Sequence, residues 1–247
     1  GPSEKEGQHV TLKYALAHSI NYISAWIVKQ FNPPPVIYTM RKMGIESQID
    51  PVPSIALGTP DISLYEMVSA YCTFANQGVH TEPLAVTRIE DKNNNVIATF
   101  KPQKTEAISE KTAYTLIQML QEVVNKGTGI RLRYKYQFDN PIAGKTGTSQ
   151  NQSDGWFMGL VPQLVSGVWV GGEDRSVHFD NIAQGQGANM ALPIWAIYMD
   201  KVYNDPKLNI KKDIDFEKPN GISVNMDCET REESSYPGYE DYLEDYY

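Results

Sequence analysis

The sequence predicts an α+β fold in which helices pack against an antiparallel sheet. Helical patterns dominate residues 11–126, three strand-like segments follow one another over residues 142–172, and a last helical pattern covers residues 187–203. Because short connections rather than helices join the three strands, we expect them to pair antiparallel.

The first helices flank a short polar break. We expect a helix over residues 11–18 and a second over residues 22–31, with Ser19-Ile20-Asn21 between them. Proline has no N–H group and fixes φ, so Pro33-Pro34-Pro35 should end the second helix, and residues 36–43 should form a third. The apolar face of the second helix should contain Ile23, Trp26, Ile27 and Phe31.

The middle of the chain is expected to hold two longer helices and a hairpin. Ser63 and Glu66 have the spacing of a capping box, which predicts a helix that runs to about Asn76. Residues 84–100 carry two apolar segments around a turn-forming cluster, as in a hairpin. The helix over residues 110–126 has apolar residues at the spacing of one buried stripe.

The sheet is predicted from strands over residues 142–149, 155–161 and 165–172, with a tight Pro162-Gln163 turn between the last two. The helix over residues 187–203 should then cover the sheet. Its expected buried residues are Met190, Leu192, Ile194, Trp195, Ile197 and Met199.

Charge and composition divide the chain into three parts. Residues 1–8 are polar and are expected to be a linker or a cloning remnant, residues 9–206 a folded domain, and residues 207–247 an acidic, tyrosine-rich tail. Much of the net charge of −8 lies in that tail, and the body is nearly neutral. Without a basic stripe, we expect no nucleic-acid partner. Cys72 and Cys228 are expected to be free thiols.

Two short motifs carry the chemistry. Lys145 can supply positive charge for a substrate carboxylate, Gly147 lets an extended substrate lie along a strand, and the Thr148 N–H can stabilise an oxyanion. Thr146 adds a hydroxyl. Upstream, Ser19 can relay protons and Asn21 can bind an amide. Each motif alone is common by chance, but Ser-x-Asn and Lys-Thr-Gly are two of three motifs of active-site serine enzymes.

The third motif, Ser-x-x-Lys, occurs nowhere in the 247 residues. It would contain the nucleophilic serine and the lysine that activates it. The four histidines are scattered without metal-ligand spacing, so we expect no metal site. No cofactor is expected either. We therefore expect Ser19, Asn21 and Lys145 as candidate catalytic residues and Thr146, Gly147 and Thr148 as candidate substrate-binding residues.

Long segments extend this similarity. They read HVTLKYALAHSINYISAWI, SIALGTPDISLYEMVSAYCTFANQG and IAGKTGTSQNQSDGWFMG. Over about residues 9–204 the chain resembles the transpeptidase domain of class A penicillin-binding proteins, which are bifunctional enzymes of peptidoglycan synthesis. The resemblance implies a penicillin-binding serine transpeptidase fold of the β-lactamase-like kind, with the site between its helical part and its sheet.

The resemblance also implies an activity and a location. Members of the family form an acyl-serine with a peptidoglycan stem peptide and pass it to an amine, and β-lactam antibiotics trap that acyl-enzyme. The implied parent protein carries a glycosyltransferase domain and a membrane anchor, and it works outside the cytoplasm, in the periplasm or at the outer face of the membrane.

Residues 9–206 would then be a partial transpeptidase domain, without its N-terminal strands and nucleophile helix. We expect such a fragment to be inactive alone. Two alternatives stay open, a β-lactam sensor or hydrolase of the same fold and a non-catalytic interaction domain. As parts of one active site, Ser19 and Asn21 should face the strand that carries Lys145 and Thr148 across one groove.

Overall fold

The computed structural model describes residues 9–221, so the predictions for residues 1–8, Cys228 and the end of the tail lie outside the described part. Within that part Cys72 is a free thiol. The helices are α1 (Leu12–Ala17), α2 (Asn21–Phe31), α3 (Pro33–Lys42), α4 (Leu64–Ala75), α5 (Glu110–Asn125), α6 (Arg131–Tyr134), α7 (Ile182–Gly185) and α8 (Gly187–Asn204). The strands are β1 (Val79–Thr81), β2 (Arg88–Glu90), β3 (Val96–Thr99), β4 (Lys104–Glu106), β5 (Ala143–Thr148), β6 (Asp154–Val161) and β7 (Leu164–Gly171).

The central sheet has the strand order β5-β6-β7 and is antiparallel throughout. Lys145 lies opposite Met158 and Gly147 lies opposite Trp156. Helices α5 and α8 pack on the sheet, which confirms the α+β prediction. Strand β5 is an edge strand, because its other edge pairs with no strand in residues 9–221.

The largest core cluster lies between α8 and the sheet. Trp195 is fully buried at its centre, packs edge-on against Phe157, and donates from Nε1 to Ser166 Oγ at 2.8 Å. Gly159 leaves room for this ring, since a Cβ there would overlap the indole. A buried tryptophan with a satisfied N–H contributes several kcal/mol to a core, about 3–5 kcal/mol by truncation to alanine.

A second cluster joins α5 to the sheet and to the segment after α8. The predicted stripe of α5 is buried here, with Ile117 and Leu120 packed against Ala143 and Leu160 of the sheet. Phe216 completes this cluster with only 8% of its surface exposed. Part of the acidic tail therefore packs on the domain.

The predicted start of the third helix was wrong, and the apolar face of the second helix is in part uncovered. Helix α2 ends at Phe31 as expected, but α3 begins at Pro33, because a proline in the first helical turn needs no hydrogen-bond partner for its nitrogen. Trp26 and Phe31 belong to the predicted apolar face of α2, and they are 59% and 66% exposed. Periodicity identifies an apolar face without showing what covers it.

Predictions for α8 and for the short strands were also only partly correct. Ile194 and Ile197 of α8 were expected to be buried and are 50% and 56% exposed, because one helix face cannot hold so many consecutive apolar positions. The hairpin over residues 84–100 is confirmed by β2 and β3. The pairing of β1 with β4 was not foreseen, since three-residue strands show no clear alternation.

Candidate active site

Ser19 occupies a sharp bend between α1 and α2. Its φ of 53° lies in the left-handed region, and its N–H donates to Leu16 O at 3.2 Å. The next N–H, that of Ile20, donates to Ala15 O at 2.9 Å. These bonds end α1 and let α2 begin at Asn21, and the exposed Ser19 side chain projects from the bend.

Lys145 reaches that bend from β5. Its Nζ donates to Ser19 Oγ at 2.9 Å, although the two residues are 126 positions apart in sequence. The same ammonium donates to the carbonyl oxygen of Thr146 at 2.9 Å. Two motifs that the sequence gives separately thus meet at one point in the fold.

Burial lowers the pKa of Lys145 from 10.5 to about 8. Removing an ammonium from water disfavours its charged form. At neutral pH the side chain is still mostly an ammonium, and it is far closer to losing its proton than an exposed lysine. A lysine of this kind can serve both as a positive charge and as a proton donor.

Both threonine hydroxyls of the Lys-Thr-Gly-Thr segment form hydrogen bonds with other residues of the chain. Thr146 Oγ1 lies 2.6 Å from Thr128 Oγ1, and Thr148 Oγ1 accepts from the Gly187 N–H at 3.0 Å at the start of α8. A Cβ at Gly147 would lie 3.0 Å from Trp156 Cβ, so larger residues would crowd this strand. The segment is therefore held between α5 and α8.

Asn21 lies two residues beyond Ser19, at the first position of α2. Its side chain is exposed, and it has no hydrogen-bond partner in residues 9–221. The structure thus brings Ser19 to Lys145 but shows no bond between Asn21 and β5. The role of Asn21 stays a prediction.

A polar network beyond the motif was not predicted. Asp154 begins β6 and accepts from Trp169 Nε1 at 3.0 Å and from Ser153 Oγ at 2.9 Å. Burial raises the pKa of Asp154, but these hydrogen bonds and nearby Arg175 outweigh it and leave the pKa below its ordinary value. Arg175 also pairs with Asp61, so the network connects the sheet to the loop before α4. In the strand register Asp154 lies opposite Gly171 and Trp169 lies opposite Trp156, so this diagonal contact has no pattern in the sequence that could have indicated it.

The described residues contain neither a cluster of metal-binding side chains nor a helix that could cross a membrane. No group of three or more His, Cys, Asp and Glu residues within residues 9–221 is arranged to hold a metal ion. In the same part of the chain, no helix has the length and apolar character needed to cross a membrane.

The fold and the two meeting motifs are those of the active-site serine transpeptidases. Residues 2–174 match the family model described as the penicillin-binding protein transpeptidase domain. The chain belongs to this family.

Its relatives include proteins of the class A type. The chain is 34% identical to penicillin-binding protein 1A of Aquifex aeolicus over 224 residues, which are 90% of this chain and 29% of that protein. It is 32% identical to penicillin-binding protein 1B of Haemophilus influenzae over 208 residues, which are 84% of this chain and 26% of that protein. The chain thus spans less than a third of the length of these relatives.

Solved structures share the fold. Penicillin-binding protein 1A from Haemophilus influenzae matches with a TM-score of 0.71 at 21% identity, over 79% of this chain and 34% of that chain. PonA1 from Mycobacterium tuberculosis in complex with penicillin V matches with a TM-score of 0.68 at 23% identity, over 88% of this chain and 62% of that chain. The penicillin-binding transpeptidase fold predicted from the resemblance is confirmed.

Proposed function

We propose that this chain is part of a penicillin-binding D,D-transpeptidase that cross-links peptidoglycan stem peptides through an acyl-serine. The observation that carries this proposal is the 2.9 Å contact between Lys145 Nζ and Ser19 Oγ. Family membership supports the reaction class. The contact supports the roles of Lys145 and Ser19, because one small substrate could touch two side chains that lie this close together.

Each candidate residue has a role in this reaction. The Lys145 ammonium attracts the substrate carboxylate and holds the proton of Ser19 in position. Ser19 relays a proton to the leaving amine, and Asn21 binds the substrate amide. The open edge of β5 at Gly147 accepts an extended peptide, while the Thr148 N–H stabilises the oxyanion. Thr146 supports β5 through the contact between its hydroxyl and that of Thr128.

The nucleophile is proposed to lie elsewhere. The 247 residues contain no Ser-x-x-Lys, and Ser19 already contacts Lys145 in the relay position. A serine and a lysine from sequence outside these residues would supply the attacking hydroxyl and its base. This chain alone is therefore expected to be unable to form an acyl-enzyme.

β-Lactam antibiotics are the second proposed class of ligand. Penicillin-binding protein A from Mycobacterium tuberculosis, which has this fold, was solved as an acyl-enzyme with imipenem. We extend that chemistry to the protein that contains this chain. The proposed working place is outside the cytoplasm, with a membrane anchor in the parent protein.

Penicillin labelling followed by intact-mass spectrometry tests the proposal. We expect a stoichiometric penicilloyl adduct on a longer protein that joins this chain to its Ser-x-x-Lys segment, and none on the 247-residue chain. An adduct on the chain alone would show that the nucleophile lies within it. A longer protein that stays unlabelled and folded would refute the transpeptidase proposal and favour a non-catalytic interaction domain.

A further inference from the structure

The short loop between α5 and α6 contacts both halves of the candidate site. The Thr128 N–H donates to the Ala17 carbonyl oxygen at 3.0 Å, and Ala17 ends α1 two residues before Ser19. The Thr128 hydroxyl lies 2.6 Å from the Thr146 hydroxyl, and Thr146 follows Lys145 in β5. One residue is thus bonded to the serine bend and to the lysine strand.

The loop itself is held firmly. The N–H groups of Gly127 and Gly129 both donate to Val123 O, at 3.1 and 2.9 Å, which ties the loop to the end of α5. A Cβ at Gly127 would overlap the carbonyl of Ala17, so glycine is needed for this close approach. Both glycines are buried. Thr128 therefore projects from a rigid support rather than from a free loop.

We propose that Thr128 is a positioning residue that holds the Lys145 ammonium opposite Ser19. The contacts close a circuit from Ala17 to Thr128, Thr146, Lys145 and Ser19, and back along the chain to Ala17. The proposal rests on the proposed function, but the circuit is a property of this chain and can be tested without any activity.

The physical reason lies in the lysine. A lysine side chain has many rotamers, and the contacts of Lys145 with the exposed Ser19 hydroxyl and the carbonyl oxygen of Thr146 confine it weakly. If β5 and the serine bend shift relative to each other, the ammonium loses Ser19. Displacements of about 1 Å in such a site can lower a rate by about a hundredfold.

The first arm of the test uses the 247-residue chain and NMR titration of the Lys145 side-chain carbon and nitrogen signals. Thr128→Val removes the hydroxyl and keeps the side-chain volume. We expect it to raise the midpoint of the Lys145 titration by about one pH unit, because a looser site admits water to the ammonium. Thr128→Ser should keep the wild-type midpoint. Thr115→Val is the control, since that hydroxyl bonds to Lys111 O within α5.

The second arm uses the longer protein that carries Ser-x-x-Lys, and measures penicillin binding and acylation separately. Thr128→Val should lower the acylation rate constant by about tenfold to a hundredfold, with a smaller change in the dissociation constant. Thr128→Ser should restore the rate and Thr115→Val should leave it unchanged.

The outcomes separate the two proposals. If Thr128→Val folds and changes neither the titration nor the acylation rate, Thr128 has no positioning role. If Thr128→Val fails to fold, Thr146→Val breaks the same hydroxyl pair from β5, and an unchanged Lys145 titration in that variant would equally overturn the inference. If the longer protein never acylates, the proposed function fails, and the titration alone decides the role of Thr128.

Discussion

At the scale of single residues, the candidate site depends on an ammonium in an unusual environment. Lys145 is taken from water by the fold, and its polar contacts in residues 9–221 are the Ser19 hydroxyl and the Thr146 carbonyl oxygen. Neither partner carries a negative charge that could balance the ammonium, and burial lowers the pKa of Lys145. A cost in stability of this kind is common at functional sites.

Replacement of Lys145 tests its function. In the longer protein, Lys145→Ala should lower the rate of penicillin acylation by about 10²–10³-fold, because a preorganised charge is lost from the acyl-transfer site. The measurement is stopped-flow acylation with a fluorescent penicillin. Lys201→Ala, at an exposed position in α8, is the matched control and should acylate normally. Equal acylation rates in the two variants would show that Lys145 is not part of the site.

The lowered pKa of Lys145 also predicts a pH dependence of stability. The folded chain releases this proton near pH 8, and the unfolded chain releases it near 10.5. Between these values the unfolded state binds more protons, so the stability of the wild type should rise with pH. Urea unfolding should show that the free energy of unfolding of the wild type increases, relative to that of Lys145→Met, from pH 7.5 to pH 10. A constant difference between the two proteins would contradict the lowered pKa.

Sequence reasoning singled out Ser19 and Lys145, which the fold brings into contact, and missed Thr128; the catalytic roles of the first two stay predictions. The first two belong to motifs whose residue types follow from acyl-transfer chemistry. Thr128 has no such pattern, and its role depends on a close approach between segments that lie far apart in sequence. The signal that could have indicated it is Gly-Thr-Gly at the end of a long helix, where two glycines without an obvious turn suggest tight backbone contact.

At the scale of elements, local sequence rules worked where the interaction is local. The Ser63–Glu66 capping box is present as predicted, and Ser109 caps α5. The structure adds that Glu66 also accepts from the N–H groups of Glu46 and Ser47, at 2.8 and 2.7 Å. One carboxylate thus joins the loop after α3 to the start of α4, a long-range connection that no capping pattern contains.

Glu66 should make this connection sensitive to acid. The Ser47 hydroxyl is the largest cause of a pKa lowered from 4.5 to about 2. A carboxylate with a lowered folded pKa stabilises above its unfolded pKa, and this stabilisation is lost as the pH falls from 4.5 towards 2. At neutral pH Glu66→Gln should lower the free energy of unfolding by about 1 kcal/mol, which is below the usual range for hydrogen bonds to a charged group because solvent screens this half-buried site.

Urea unfolding at pH 7 and at pH 3 checks this prediction. The difference between wild type and Glu66→Gln should shrink at the lower pH. Glu82→Gln is the control, since its side chain has no bond in residues 9–221 and lies exposed after β1. A Glu66→Gln variant as stable as wild type at neutral pH would show that the connection is unimportant.

At the scale of the whole molecule, the two core clusters place the sheet between α5 and α8, and the segment after α8 joins them. Ile210 packs against the α8 cluster and Phe216 lies in the α5 cluster. The Lys211 N–H donates to Gln163 Oε1 at the β6–β7 turn, at 2.9 Å. The sequence suggested a boundary at residue 206 because periodicity and hydrophobicity fall there, but single apolar residues in an acidic segment can still be buried.

Phe216 provides a test of how far the folded unit extends. Phe216→Ala should lower the free energy of unfolding by about 3 kcal/mol, because a buried phenylalanine leaves a cavity against Leu120 and Leu160. Phe179→Ala, at a position 43% exposed, should cost much less and serves as the control. Chemical unfolding measures both. Equal small effects would place the end of the folded unit before residue 207, as the composition suggested.

The distance along the chain between Ser19 and Lys145 also matters for folding. Their contact closes a loop of 126 residues, and closure of so long a loop costs chain entropy that only other contacts can offset. Helix α5 and strand β5 are closer in sequence and can pair first, after which the α1 end docks onto the Gly127 loop. The reactive pair would then be among the last contacts to form and among the first to open during partial unfolding. A partly unfolded copy of the protein would lose the contact between Lys145 and Ser19 before it lost its core.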